Sequence, residues 1–364
     1  MASAYLANQA QTLESTASVD PSQAQVAQIP LQTFSLPTFP EEAFKSGLES
    51  LILTSDIKLD EYTDILTQPF SVSNLPASIK SLTLELFSLG YPPGFLNELG
   101  KKFSGLKAIT VYSQLIGGTT KESREDAIAF VKSQTELQEA HLLDVFGSPG
   151  FFAELGESLS PNLKLLEINY TYRHSDPKFL ETIPSKEMAA FIGKGKQLVG
   201  LTLSISPPDI TDDDEDLEGT EVGVRPVSGK HSESLVEALV ENGKDIIVLD
   251  LTMFELSLED LEKVLDSCHN LKGIHITVSL EKGWKEVFDV LGKKERGIEF
   301  AEFVGAPGES ILEELKNNKG EINLDEESLN KLSNTCKDLK ALSLSILKVK
   351  VTNWTKDGDK WQKQ

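Results

Sequence analysis

The chain has 364 residues, of which 39% are hydrophobic, and a formal net charge of −22. This composition is sufficient for a substantial buried core and excludes a largely disordered protein. The acidic balance argues against nucleic acids and anionic membranes as main partners, because such binding depends on Lys and Arg that neutralise phosphates. No apolar stretch approaches the roughly 20 residues that a membrane-spanning helix needs.

Residues 1–35 contain no Lys or Arg and are rich in Gln, Ala and Ser. They therefore lack the basic start of a secretory signal and the Arg-rich face of a mitochondrial presequence. We expect a disordered tail over residues 1–35. The chain has two cysteines, Cys268 and Cys336, which gives no disulfide framework and fits a reducing compartment. A cytoplasmic or nuclear location is the expectation.

A short pattern, Leu-x-x-apolar-x-apolar with Ile and Ala allowed as variants, recurs along most of the chain. The clearest copies are LESLIL, IKSLTL, LKAITV, LKGIHI and LKALSL. Alternation of apolar and polar residues predicts a β-strand with one buried side. The ten copies begin at Leu48, Ile79, Leu106, Leu137, Leu163, Leu198, Ile246, Leu271, Ile298 and Leu339.

The segments between these predicted strands have helical spacing. Stretches such as ESLVEALVENG and LEDLEKVLDSC place apolar residues at intervals of three and four, which gives one apolar stripe. Several of them begin after Ser or Pro and end at Gly, as helices commonly do. The predicted unit is a strand, a turn, a helix and a return to the next strand.

An acidic insertion, residues 205–232, separates the sixth and seventh copies of the pattern. Seven acids fall between Asp212 and Glu221, so we predict a solvated loop. Two interpretations are open. The loop is either a tolerated surface insertion or an acidic segment that attracts a basic partner, with Thr211 as a phosphorylation target.

The C-terminal stretch NWTKDGDKWQ predicts a β-hairpin. Asp357-Gly358 is a favoured two-residue turn, and counting outward from it pairs Trp354 with Trp361. We interpret residues 347–364 as a cap over the end of the repeat stack, with an aromatic binding site as the alternative.

The repeats resemble those of leucine-rich-repeat proteins of the ribonuclease-inhibitor-like class, especially the irregular repeats of fungal F-box-type proteins. Their mean spacing is about 32 residues; several spacings lie near the upper end of the leucine-rich-repeat period, and the long outliers imply insertions. The resemblance implies an α/β solenoid, or horseshoe, over residues 36–346, with a parallel concave sheet, outer helices and the C-terminal hairpin cap. It also implies that Cys268 and Cys336 pack near helix ends beneath the following strands. Residues 36–47 are too short and too unlike the LPxEI pattern to form an F-box.

The sequence lacks the common catalytic, nucleotide-binding and metal-binding motifs. There is no GxGxxG or GxxxxGK[ST] for nucleotides, no GxSxG for a nucleophile, and no HExxH or CxxC for a metal. We predict no enzymatic activity, no cofactor and no metal site. The activating proteins of small nuclear GTPases are the alternative resemblance, and they use an exposed arginine. This sequence mostly lacks the Asn that follows the strand in their repeats, and none of its arginines can be matched to theirs.

If the apolar residues of each strand point into the core, the residues between them lie on the concave surface. That surface is predicted to be polar, mildly acidic and rich in Thr, and large enough for a protein or an extended peptide. The predicted function is non-catalytic binding of a protein with a basic surface, as a substrate-recognition or scaffold subunit; simple solvation of the face is the alternative. The predicted contact residues are Glu139, His141, Glu167, Asn169, Arg173, Asp250 and His275.

Overall fold

The computed structural model describes two compact units of the chain. The N-terminal unit contains the described residues of 14–171 and 186–198, and the C-terminal unit contains the described residues of 172–185 and 199–364. The described residues are 25–363 without 40, 42–43, 45–46, 104, 172–184, 206–231, 309–310, 312, 314–325, 347–348 and 358–359. Arg173 and nearly all of the acidic insertion therefore lie outside the described residues.

The N-terminal unit alternates strands and helices in a parallel sheet. Strands β1 to β6 pair in chain order, each parallel to the next. The elements are β1 (Gln25–Leu31), β2 (Leu48–Ser55), α1 (Leu59–Ile65), β3 (Ser81–Glu85), α2 (Phe95–Lys102), β4 (Ala108–Tyr112), α3 (Lys121–Ser133), β5 (Glu139–Val145), α4 (Phe151–Ser158), β6 (Leu165–Tyr170) and α5 (Ser185–Lys194).

The C-terminal unit repeats the same plan and ends differently. Strands β7 to β11 pair in parallel, whereas β12 and β13 continue the sheet in antiparallel pairing. The elements are β7 (Gly200–Ile205), α6 (Glu233–Asn242), β8 (Val248–Leu256), α7 (Leu258–Ser267), β9 (Gly273–Leu280), α8 (Trp284–Leu291), β10 (Phe300–Pro307), α9 (Glu326–Thr335), β11 (Ala341–Ile346), β12 (Val349–Asp357) and β13 (Lys360–Lys363).

The apolar positions of the recurring pattern form the core. All ten residues that begin a copy are buried, and so are the apolar residues three and five positions later. The register places equivalent residues side by side, with Leu82 next to Ile109 and Leu249 next to Ile274. No single repeat can bury its own apolar face, so stacking of repeats supplies the stability. Each unit is thus a stack of leucine-rich-repeat strand–helix units, as predicted.

Helices α2 and α4 begin in the same way, with the sequence Pro-Gly-Phe. Gly94 and Gly150 precede them with φ of 92° and 81°, a left-handed conformation that glycine adopts without a steric penalty. A carboxylate from the next helix then accepts hydrogen bonds from N–H groups at the start of the helix. Asp126 of α3 accepts from Leu96 and Asn97 at 3.0 and 2.8 Å. Glu187 of α5 does the same for α4, accepting from the N–H groups of Gly150, Phe152 and Ala153 at 2.6, 3.0 and 3.3 Å.

The two cysteines lie where the resemblance implied. Cys268 and Cys336 are buried free thiols that follow α7 and α9, and the backbone of Cys268 continues the last turn of α7. A Cβ on Gly243 would lie 2.5 Å from the Cys268 sulfur, so the glycine leaves room for the thiol. Burial raises the pKa of Cys268 to about 12 and that of Cys336 to about 11. Both cysteines act as small apolar core residues.

The structure corrects the sequence analysis at both ends. Residues 25–31 form β1, which extends the sheet by one strand, so this part of the predicted tail is ordered; residues 1–24 lie outside the described residues. At the other end the predicted hairpin is present, but Asp357 pairs with Lys360 and Lys356 pairs with Trp361. Trp354 therefore faces Lys363 and not Trp361, because the turn lies one residue later than Asp357-Gly358.

Candidate functional site

The strand residues that alternate with the core residues form one side of each sheet, called here the polar face. Its central row in the N-terminal unit runs through Thr83, Thr110, His141 and Glu167 in register. The central row of the C-terminal unit runs through Thr202, Asp250, His275, Glu302 and Ser343. In both units the parallel register brings side chains from distant repeats next to one another.

Three charged groups meet on the polar face of the C-terminal unit. The Nδ1 of His275 lies 2.8 Å from Oδ2 of Asp250, and its Nε2 lies 3.6 Å from Oε1 of Glu302. The other oxygen of Asp250 accepts hydrogen bonds from the N–H and the hydroxyl of Thr252, at 3.0 and 2.8 Å. The carboxylate is held in place from two sides, and the imidazole is held between two acids.

The electrostatics of this cluster favour a protonated imidazole. Burial of His275 lowers its pKa, but the hydrogen bond and charge of Asp250 and the charge of Glu302 outweigh burial. The pKa of His275 is consequently raised above its ordinary value of 6.5. With both carboxylates ionised and the imidazole protonated, the cluster carries one net negative charge.

A similar pair lies on the polar face of the N-terminal unit. The Nδ1 of His141 is 2.8 Å from Oε2 of Glu167 on the next strand, and both side chains are partly exposed, at 29% and 38%. Glu139 lies two residues earlier than His141 on β5, and Asn169 lies two residues after Glu167 on β6. Both residues therefore belong to the same face as the pair.

The structure divides the predicted site residues between the two units. Glu139, His141, Glu167 and Asn169 belong to the N-terminal unit, whereas Asp250 and His275 belong to the C-terminal unit. The set of contact residues predicted from the sequence does not include Glu302. Its position in the repeat could have identified it, because Glu302 occupies the same strand position as His275 and stands beside it in register.

The polar face of the N-terminal unit is less polar than predicted. Tyr112 is 38% exposed at the end of β4, and Ile52, Leu143 and Leu165 are half-buried on the same face. The prediction of Thr and acidic residues holds for the central row. Apolar side chains were missed because their spacing looks the same in sequence as that of core residues.

Basic residues are used elsewhere, in ion pairs between neighbouring repeats. Lys107 pairs with Glu136 at 2.6 Å just before the strands begin, and Lys340 pairs with Glu299 at 2.5 Å. Along the helices of the C-terminal unit, further cations bind acids of the adjacent helix. These pairs are Lys293 with Glu262, Lys294 with Asp266, Lys331 with Asp289, and Arg296 with Asp266.

Within the part of the chain that the structure describes, no group of three or more His, Cys, Asp or Glu side chains is arranged to hold a metal ion. The same described part contains no helix with the length and apolar character needed to cross a bilayer. What the polar face offers chemically is a set of hydrogen-bond acceptors and negative charges that neighbouring strands hold in fixed positions.

No protein-family model matches the chain, and a search of curated proteins found no match. Among solved structures, the chain is similar to the leucine-rich repeat-containing protein LegL7 from Legionella pneumophila. The identity is 16%, the match covers 87% of this chain and 91% of that one, and the TM-score is 0.36. The assignment to the leucine-rich-repeat fold rests on the buried pattern positions and the parallel strand order within each unit.

Proposed function

We propose that this chain is a non-catalytic protein-interaction module that binds a basic protein or peptide on its polar face. In this role it is the substrate-recognition or scaffold subunit of a larger assembly in the cytoplasm or nucleus. The binding residues are the predicted site residues that the structure describes in the two units, with Glu302 added to the predicted set.

One observation carries the proposal, namely the separation of charge between the polar face and the rest of each unit. The central rows of the face contain Glu167, Asp250, Glu302 and two histidines, and no Lys or Arg stands in either row. The cations described above lie at strand entries and on helices, where acids of adjacent repeats already neutralise them. On the central rows, Glu167 pairs with His141, and Asp250 and Glu302 pair with His275.

Fixed acids of this kind favour a cationic partner for two reasons. The hydrogen bonds that hold Asp250 and Glu167 are made before a partner arrives, so little side-chain ordering is needed on binding. The chain's net charge of −22 also steers a basic partner toward the protein and raises its association rate at low salt. Affinity should therefore fall as salt concentration rises.

The test is charge reversal with a control of equal net charge. The variant Glu139→Lys/Glu167→Lys/Asp250→Lys reverses acids of the polar face, and Glu122→Lys/Glu237→Lys/Glu241→Lys reverses exposed acids on α3 and α6. The probes are fluorescent 12-residue lysine-containing peptides, measured by polarisation. We expect the face variant to lose about tenfold or more in affinity and the helix variant to bind much more tightly than the face variant. Equal losses in both variants would reduce the proposal to a non-specific effect of net charge.

Two further measurements address the finer role. Affinity purification of the full chain followed by mass spectrometry supports a recognition subunit if a ligase subunit is recovered, because the chain would then contribute the binding surface of that assembly. The alternative function, a GTPase-activating protein of the leucine-rich-repeat type, predicts faster GTP hydrolysis by a purified small nuclear GTPase. Stimulation of hydrolysis would replace the binding proposal with that alternative.

A further inference from the structure

Two residues other than glycine adopt positive φ in the described part of the chain, and they occupy the same position in two repeats. Leu86 has φ of 67° just after β3, and Asp144 has φ of 51° near the end of β5. Each is the sixth residue counted from the start of its strand, and each precedes a helix that begins with Pro-Gly-Phe. The backbone of these two repeats therefore needs a left-handed residue at this point.

Asp144 is suited to that position and Leu86 is not. Asp and Asn tolerate the left-handed region because their short polar side chains can make local hydrogen bonds. The side chain of Asp144 also accepts a hydrogen bond from Gln114 of the preceding repeat at 3.1 Å. Leucine has no such compensation, and its Cβ crowds the backbone in this conformation. The leucine is also 49% exposed, so burial in the core does not offset the backbone strain. The local structure alone favours Gly, Asn or Asp at residue 86.

The residues near Leu86 in the chain and in the strand register include both apolar and acidic side chains. The residue before it, Glu85, stands opposite Tyr112 in the register, and Tyr112 stands opposite Leu143. Asp144 follows Leu143 directly. We name these five residues the Leu86 patch: Glu85, Leu86, Tyr112, Leu143 and Asp144. Its members are two acids and three large apolar side chains.

We propose that the Leu86 patch anchors the bound partner by receiving one apolar side chain of an extended basic segment. The lysines or arginines on either side of that apolar residue then face Glu85 and Asp144. This inference rests on the proposed function and specifies which part of the basic partner the N-terminal unit recognises. An anchor residue in a small apolar spot with charged surroundings is the arrangement that concentrates binding energy in protein interfaces.

The charge complementarity decides the class of occupant. The rows of the N-terminal polar face, from β3 to β6, hold Glu85, Glu139 and Glu167 and no Lys or Arg. An acidic segment with an apolar residue would meet like charge along the whole row. A second copy of this chain is also disfavoured, because its net charge is −22.

The experiment compares peptides and variants that differ in one feature each. The first probe is a 12-residue fluorescent peptide with one central Leu between lysines; the second has Phe, and the third has Ser, in place of that Leu. The test variant is Leu86→Asn, which suits a left-handed backbone. The control is Leu59→Asn, which removes an exposed leucine, 71% accessible, from the start of α1 in the same unit.

We expect the Leu or Phe peptide to bind wild-type protein more tightly than the Ser peptide. Leu86→Asn should weaken the apolar peptide about tenfold while leaving the Ser peptide unchanged, and its thermal midpoint should equal or exceed that of the wild type. Leu59→Asn should leave both affinities unchanged. A stable Leu86→Asn protein with selectively lost affinity excludes misfolding as the cause.

The inference is overturned if the apolar and Ser peptides bind wild-type protein equally, or if Leu86→Asn and Leu59→Asn behave alike. In that case lysine peptides that still bind, and that lose affinity in the Glu139→Lys/Glu167→Lys/Asp250→Lys variant, leave the proposed function intact. Failure of every lysine peptide to bind overturns the proposed function and the inference together.

Discussion

Asp250 and His275 stand side by side on β8 and β9, and the Oδ2 of Asp250 lies 2.8 Å from the Nδ1 of His275. The two residues are 25 positions apart in sequence, so the contact exists only because the parallel strands are in register. Because the contact pairs an imidazole with a carboxylate, the protonation of His275 should affect the stability of the C-terminal unit.

The first prediction concerns the pH dependence of stability. Because the folded pKa of His275 is raised above 6.5, protonation stabilises the fold. The contribution is fully present below the unfolded pKa and is lost as pH rises through the folded pKa. The free energy of unfolding of wild type, relative to His275→Gln, should therefore fall as pH increases above about 6.5. Urea unfolding from about pH 5.5 to 9 measures this difference.

Replacing the partner gives the complementary result. In Asp250→Asn the charge that raises the imidazole pKa is lost, so the pKa of His275 should fall, as an NMR titration of the ring carbon would report. For the stability measurement, the control substitution is His269→Gln, because His269 is exposed in the turn before β9. A His275 pKa that does not change in Asp250→Asn would show that the contact is not formed in solution.

The second prediction concerns the carboxylate that caps α2 from the next helix. Asp126→Ala leaves the N–H groups of Leu96 and Asn97 without their acceptor, so we expect a loss of about 1–2 kcal/mol in the free energy of unfolding. Glu122→Ala, an exposed acid in the first turn of α3, should change stability by less than about 0.5 kcal/mol. Urea denaturation of the two variants decides between a cap and an ordinary surface acid, since equal effects contradict the cap.

The third prediction concerns the effect on stability of replacing each of three helical glycines by alanine, which depends on the space around the new Cβ. A Cβ on Gly156 would lie 2.9 Å from the backbone nitrogen of Phe191, which cannot move without shifting α5. Gly156→Ala should therefore cost about 1–3 kcal/mol. On Gly100 the nearest atom is the Ser133 hydroxyl at 2.9 Å, a side chain that can rotate, so Gly100→Ala should cost less.

Gly193 is the matched control, because a Cβ there meets nothing within 4 Å. Gly193→Ala in α5 should stabilise the protein by about 0.5–1 kcal/mol, since alanine loses less backbone entropy in a helix. Thermal unfolding should rank the midpoints with Gly193→Ala highest and Gly156→Ala lowest. Any order that places Gly156→Ala above Gly193→Ala would mean that α4 and α5 do not pack closely.

The fourth prediction concerns thiol reactivity. With pKa values raised to about 12 and about 11 by burial, Cys268 and Cys336 hold little thiolate at neutral pH. A thiol-modifying reagent at about pH 8 should label neither residue in the native protein and both in urea. Cys268→Ala should be tolerated better than a substitution by a polar residue of similar size, Cys268→Ser. Rapid labelling of the native protein would contradict the assignment of both thiols to the core.

The sequence contained most of the information on the fold because apolar alternation has a direct physical cause. Leu82 and Leu84 are buried for the same reason that makes them visible in sequence, which is that every second side chain of a strand points into the core. The strand β1 was not foreseen because QVAQIPL has no charged residue and few strong strand formers, and its pairing with β2 depends on the sheet beside it.

The candidate site was foreseen only in part. Strand position showed that His275 and Asp250 share a face, but the sequence cannot indicate the orientation of the imidazole or its second neighbour, Glu302. Leu86 was missed altogether, because a leucine in a left-handed conformation looks like any other leucine in sequence. Backbone torsion is a property of the folded chain, and the Leu86 patch is visible only through it.

The antiparallel pairing of β12 with β11 has a consequence for how this array can change in length. A further strand–helix unit would have to hydrogen-bond to the edge of β11, and β12 already occupies that edge. A parallel repeat therefore cannot be added directly beside β11 while β12 stays in place. Within this sheet, an additional parallel repeat would be inserted before β11, leaving the final hairpin paired as it is.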